Sequence, residues 1–256
     1  MVAYRTAPDP NETGWPKGIP YIIGNEGCER FSYYGMRAIL FVYVTHLLLA
    51  SGVTAELAER HATEVVHTFF AGVYALPMVG AVIADRWWGK YPTILWLSLV
   101  YCVGHACLAV FDGDFTGSVV GLVLIAIGAG GIKPCVSAHV GDQFGRGNFD
   151  KVERIYQAFY FIINFGSFFS TLLIPWVKGR WGFGVAFAIP GILMGLATFW
   201  FWSGRHVFVH VPPRPGKKLG AIDVLSGVLL FLTIAFPMFG AGLMPSYAGL
   251  SVPFKL

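Results

Sequence analysis

The chain has 256 residues, 55% of apolar types and 12% charged, with a formal net charge of +4. Soluble domains carry roughly a quarter charged residues to cover their surface, so this composition and a mean hydropathy of +0.62 exclude an ordinary soluble enzyme or a disordered chain. The basic residues are dispersed between apolar runs, which argues against nucleic acid as a partner.

Residues 1–18 are polar (Pro8, Asp9, Asn11, Glu12, Lys17) and show no short apolar core with a small-residue cleavage site, so they read as a cytoplasmic segment and not a signal peptide. A bilayer core of about 30 Å takes roughly 20 apolar residues per helix. Runs of that kind follow at about 19–50, 64–84, 92–111, 117–141, 155–177 and 184–203, predicting a six-helix bundle over 19–205. A linker, 206–218, leads to a further apolar run at about 219–244, interrupted by Pro237, within a tail over 219–256. Strands of a membrane barrel would alternate apolar and polar residues; runs 119–129 and 193–202 do not. The expected class is an all-α membrane protein in the lipid bilayer.

Orientation follows from the Lys and Arg excess on cytoplasmic loops. With the N-terminus inside, the inner segments carry eleven Lys and Arg and the outer loops three, Arg60, Lys178 and Arg180. Cys28, Cys102, Cys107 and Cys135 lie in the runs and read as small packing residues. Gly117/Gly121 and Gly191/Gly195 have the spacing that lets membrane helices approach closely, and read as packing too. Asn11-Glu12-Thr13 falls on the inner side and the outer loops carry no glycosylation sequon, which points to a bacterial inner membrane.

Ionisable groups at membrane depth are costly and mark function by default. The first run holds Glu26, Glu29, Arg30 and Arg37. At 100° per residue, these and Tyr33 and Tyr34 share one sector of about 140°. That face cannot meet lipid: it lines a wet cavity or pairs with another helix. Glu26 and Arg30 form a favourable i,i+4 pair, which would serve a packing girdle or a switch. In the switch, the carboxylate stays ionised beside Arg and takes a proton when Arg moves to another partner.

In the second run His67 and Tyr74 face one way, His67 near the outer end, either as a packed neutral ring or as a receiver of external protons. Asp85-Arg86, followed by Trp87-Trp88-Gly89-Lys90, reads as a tight charged loop at the inner end. Lys133, within Gly128-Ala-Gly130-Gly131-Ile-Lys133-Pro134, is a counter-ion to a first-run glutamate, a contact for an anionic substrate group, or both in turn. The glycines and Pro134 are expected to weaken the helix there. Tyr160 and Asn164 form an i,i+4 polar pair, for a helix contact or for binding. No HExxH, GxSxG, P-loop ending or metal-ligand spacing occurs, so no enzyme activity, metal or cofactor is expected.

These residues also resemble a known family. Glu26-x-x-Glu29-Arg30-Phe31-x-Tyr33-Tyr34-Gly35 resembles the ExxERFxYYG motif of the proton-coupled oligopeptide transporters, a branch of the major facilitator superfamily. Residues 80–94, around Asp85 and Gly89, resemble its loop 2–3 signature; Phe159-Tyr160 through Asn164 to Ser167 resembles its fifth-helix signature; Gly130–Cys135 and Gly141–Phe144 resemble it as well. The resemblance covers about 20–205 and implies the N-terminal bundle of a symporter of di- and tripeptides with protons. It implies that Arg37 and Lys133 attract the peptide carboxylate, and that Tyr33, Tyr34, Tyr74 and Asn164 hold its backbone and termini. By the same resemblance Glu26, Glu29 and Arg30 form the proton-linked switch, His67 is a proton site, and Asp85 and Arg86 belong to the inner gate.

Family members have two bundles with the peptide between them, and 219–256 lacks the pattern of the family's seventh helix. The expectation is that this chain alone does not transport and that a C-terminal six-helix bundle completes it. A half-transporter, a non-transporting partial product, or a relative carrying another small anion remain the alternative readings.

Overall fold

The computed structural model describes residues 4–214 and Val228; the apolar run at 219–244 otherwise lies outside the described residues. Among the described residues five helices are long and apolar enough to cross a membrane: α1 (Ile19–Ala50), α2 (Ala55–Ile83), α3 (Lys90–Val110), α4 (Phe115–Asp142) and α5 (Val152–Ser203). Local chemistry sets their ends. Pro20 occupies the first turn of α1, where its missing N–H costs nothing. Asp114 accepts a hydrogen bond from Gly117 N at 2.6 Å and so caps α4.

The runs 155–177 and 184–203 both fall in α5, which is interrupted at Gly182 with φ of 84°. The side of the bundle each arm meets shows that the chain reverses there. Positions 27, 31 and 35 of α1 meet 162, 166 and 170–174 in ascending order, so the first arm runs parallel to α1. On the second arm the order inverts: Ser32 Oγ donates to Pro190 O at 2.8 Å, Tyr43 packs on Phe187, and Gly24 faces Trp200. A glycine at positive φ gives this hairpin its turn without a separate loop.

Three sequence expectations are corrected. Asp85-Arg86 is not a loop: the backbone continues α2 as a wide helical turn, Ala84–Trp88, and stops at Gly89 with φ of 81°. The Gly128–Pro134 segment does not break α4; its glycines let neighbouring helices touch. A Cβ on Gly128 would lie 2.6 Å from Tyr101 Cβ, and one on Gly80 of α2 would lie 2.5 Å from Gly131 Cα. Of the GxxxG glycines, Gly121 abuts the Gly104 carbonyl and Gly191 abuts His105, but Gly195 meets nothing within 4 Å.

At the face where the chain begins, the polar segment is folded onto the bundle. Arg5 and Val209 form a parallel bridge, and Asn148 donates to Gly14 O. Gln143 accepts from Val209 N at 2.9 Å. Lys90 donates to both Asp142 oxygens at 3.0 and 2.7 Å, tying the start of α3 to the end of α4. A charged hydrogen bond of this kind contributes about 1.5–3 kcal/mol. Lys90→Ala should lower the unfolding midpoint accordingly, and the exchange Lys90→Asp with Asp142→Lys should recover part of the loss.

His210 joins this clasp, its Nε2–H donating to Arg205 O at 2.8 Å and its ring packed on Tyr4. Burial pushes its imidazole below the ordinary 6.5, the Arg205 carbonyl partly offsets this, and His206 adds to the depression. The folded chain therefore holds this proton less well than the unfolded chain. The stability His210 contributes is full above about pH 6.5 and is lost as pH falls below it. Limited proteolysis within 4–17 should therefore quicken as pH drops from about 7.5 to about 5.5, and His210→Phe should flatten that dependence.

Candidate functional site

The polar stripe of α1 turns into the bundle. Asn25, Glu26, Glu29, Arg30 and Tyr33 are buried, with Glu29 at 0% exposure; Tyr34 is half-buried and Arg37 exposed. Arg30 sits between the two carboxylates. Its Nε donates to Glu26 Oε1 at 2.8 Å and lies 2.7 Å from Glu29 Oε2. The second contact is an ion pair without an aligned hydrogen bond, and neither Glu29 oxygen accepts a hydrogen bond among the described residues. One guanidinium thus faces two acidic side chains, leaving the trio with one formal charge too many on the acidic side.

The next positive charge comes from α4. Lys133 Nζ lies 4.8 Å from the ring centres of both Tyr33 of α1 and Tyr74 of α2. Lys133 makes no ion pair with Glu26 or Glu29 among the described residues, so the direct counter-ion contact expected from the sequence is replaced by two tyrosine faces. It remains within electrostatic reach of both carboxylates and of Arg30 and Arg37. An ammonium held over ring faces keeps its N–H groups available for another acceptor. One helical turn beyond Tyr33, Arg37 lies over the Phe70 ring at 4.7 Å. Tyr74 of α2 is 59% exposed and Arg37 is exposed, so the wall is open at these two side chains with Tyr33 buried behind them, while the acidic end is enclosed.

The remaining candidates lie further out. His67 is exposed on α2. Asn164 is exposed and donates Nδ2 to Tyr160 O at 2.8 Å on its own helix. Asp85 and Arg86 belong to the face where the chain begins, and the Asp85 carbonyl accepts from Arg214 N at 2.8 Å. The structure therefore unites Glu26, Glu29, Arg30, Tyr33, Tyr34, Tyr74 and Lys133, sets Arg37 one turn beyond them, and leaves His67, Asn164, Asp85 and Arg86 without a contact to the group among the described residues. It adds Ser98, Tyr101 and His105 of α3, all at 0% exposure, which sequence reasoning missed. Their i, i+3, i+7 spacing was the available signal.

The described helices are those of a multi-helix membrane protein with an enclosed acidic cluster beside an open cationic wall. A profile of the POT family (PTR2) matches residues 91–236, and the chain belongs to that family. Peptide transporter family 1 of Drosophila melanogaster is 43% identical over 220 residues, which cover 80% of this chain and 29% of that protein. Solute carrier family 15 member 2 of Homo sapiens is 40% identical over 223 residues, covering 81% and 30%. The solved POT family transporter PepTSo superposes with a TM-score of 0.78 at 40% identity, over 92% of this chain and 55% of that one. The chain thus spans about a third of the length of these curated relatives and about half of PepTSo.

Proposed function

We propose that this chain forms the N-terminal bundle of a proton-coupled symporter of di- and tripeptides, with α5 crossing the membrane twice. The observation that carries the reading is the adjacency of the buried Glu26–Arg30–Glu29 trio to the Lys133–Tyr33–Tyr74 cluster, which opens at Tyr74. The peptide carboxylate is drawn to Lys133 and Arg37, the two cations beside this wall that make no ion pair among the described residues. Tyr33, Tyr34, Tyr74 and Asn164 supply hydroxyls and an amide for the peptide backbone and termini. An arriving carboxylate alters the field at Glu26 and Glu29, and a proton on either leaves Arg30 bound to the other. That exchange links proton to substrate.

His67, exposed on α2, receives the external proton, and Asp85 and Arg86 close the opposite face. The bundle occupies 19–205, between a cytoplasmic segment at 1–18 and a linker at 206–218, in a bacterial inner membrane with the N-terminus inside. The Lys and Arg distribution supports that orientation. The second wall of the cavity comes from a C-terminal six-helix bundle, and the names of the relatives support peptides as cargo.

The test is dipeptide uptake into vesicles by this chain joined to the C-terminal bundle of PepTSo. Lys133→Ala removes a charge-assisted contact of about 1.5–3 kcal/mol, so uptake at low substrate should fall at least about tenfold. Uptake of nitrate in place of dipeptide would favour the small-anion alternative.

A further inference from the structure

Within electrostatic reach of the acidic trio, α3 carries a second run of buried polar groups. Tyr101 and His105 are wholly buried, their rings 4.8 Å apart at 66°. The Tyr101 hydroxyl and both His105 ring nitrogens have no protein hydrogen bond among the described residues, although the Phe187 backbone faces the imidazole. A buried hydroxyl without a partner costs about 1–3 kcal/mol, and native interiors meet that demand with ordered water.

The placement is directional. Glu29 lies ten residues into α1 and Tyr101 eleven into α3, both about 15–17 Å along parallel helices. Helical side chains lean toward their N-terminal end, so the Tyr101 hydroxyl leans toward the level of Glu29 while His105 sits one turn beyond. Tyr101 is within electrostatic reach of Glu29, Arg30 and Tyr33 of α1 and of Cys102 on its own helix. From α4 the limb meets Gly128 and, through Gly104, Ile125; from the second arm of α5 it meets Gly191. None of these carries a charge.

We propose that Tyr101 and His105 form, through bound water, a buried proton-relay limb to Glu29, with His105 as a second resting place for the transported proton. The inference rests on the proton-coupled reading of Glu26 and Glu29. The step balances without any oxidant or leaving group. The Glu29 carboxylic acid gives its proton to the Tyr101 oxygen, while Tyr101 passes its own hydroxyl proton through water to a neutral His105 nitrogen. The products are a carboxylate and an imidazolium, and Tyr101 is regenerated.

The test is a pH jump on residues 1–256 in lipid nanodiscs, followed by the infrared carboxyl band that Glu29→Gln removes. The limb predicts that, after a jump to higher pH, Tyr101→Phe and His105→Gln slow loss of the proton from Glu29 by at least about tenfold, while Cys102→Ala leaves it unchanged. Unchanged rates in both limb variants would overturn the inference and leave the proton-coupled reading standing. A Glu29 band that ignores pH in the unmodified chain would defeat that reading and the limb with it. Because a variant here can fail to fold, a second measurement uses the unmodified chain. Solid-state NMR should show magnetisation transfer from water to the His105 ring nitrogens, assigned by its loss in His105→Gln; a dry His105 would contradict the proposal.

Discussion

Replacing Arg30 by leucine is expected to destabilise the chain by about 3–5 kcal/mol, because removing one member of a buried ion cluster strands the charges that remain. Arg30 is 6% exposed and is the one basic side chain in ion-pair contact with Glu26 and Glu29 among the described residues. Thermal unfolding in nanodiscs measures the loss. The triple change Glu26→Gln, Glu29→Gln and Arg30→Leu should recover much of it, since no net charge is then buried. If Arg30→Leu unfolds like the unmodified chain, the trio is wet and loosely held, and the enclosed end of the site has been misread.

Gly80→Val should destabilise on a similar scale, about 3 kcal/mol, by overpacking a helix crossing. A Cβ at Gly80 would meet Gly131 Cα and O at 2.5 Å, and backbone cannot swing aside as a side-chain end does. The crossing also holds Lys133 two residues along α4, so Gly80→Val should weaken peptide binding in the joined protein. Gly195→Ala is the internal comparison. It has open space within 4 Å and sits in a helix, so its effect should stay within about 0.5 kcal/mol.

The contrast between those glycines shows what the sequence could carry. The stripe on α1 was legible because it is local: six polar residues in one helix define a face by period alone, and composition says that the face cannot meet lipid. The spans were legible for the same reason, and even the reversal at Gly182 lies in the gap between two apolar runs. Contacts between distant segments were not. Gly191 and Gly195 share one spacing signature, yet one abuts His105 and the other abuts nothing. Gly80 and Gly131, which meet backbone to backbone, carry no such signature.

Lys133 was read as a counter-ion to a glutamate of the first helix, and its position over the rings of Tyr33 and Tyr74 instead depends on side-chain reach. Tyr101 and His105 were hidden by the apolar residues around them, since Tyr and His interrupt a hydrophobic run without lowering its average much. The folding of 4–17 onto 207–210 had no sequence signal, because polar residues there are satisfied equally by water.

The central claim is that the acidic trio of α1 couples proton movement to the peptide. Vesicles holding the chain joined to a C-terminal bundle, loaded with a pH-sensitive dye and given dialanine outside, test it directly. Peptide-driven acidification of the lumen should occur with the unmodified sequence and vanish with Glu26→Gln or Glu29→Gln, while exchange of dialanine across the membrane without a pH gradient persists. Acidification that survives loss of both carboxylates would contradict the account.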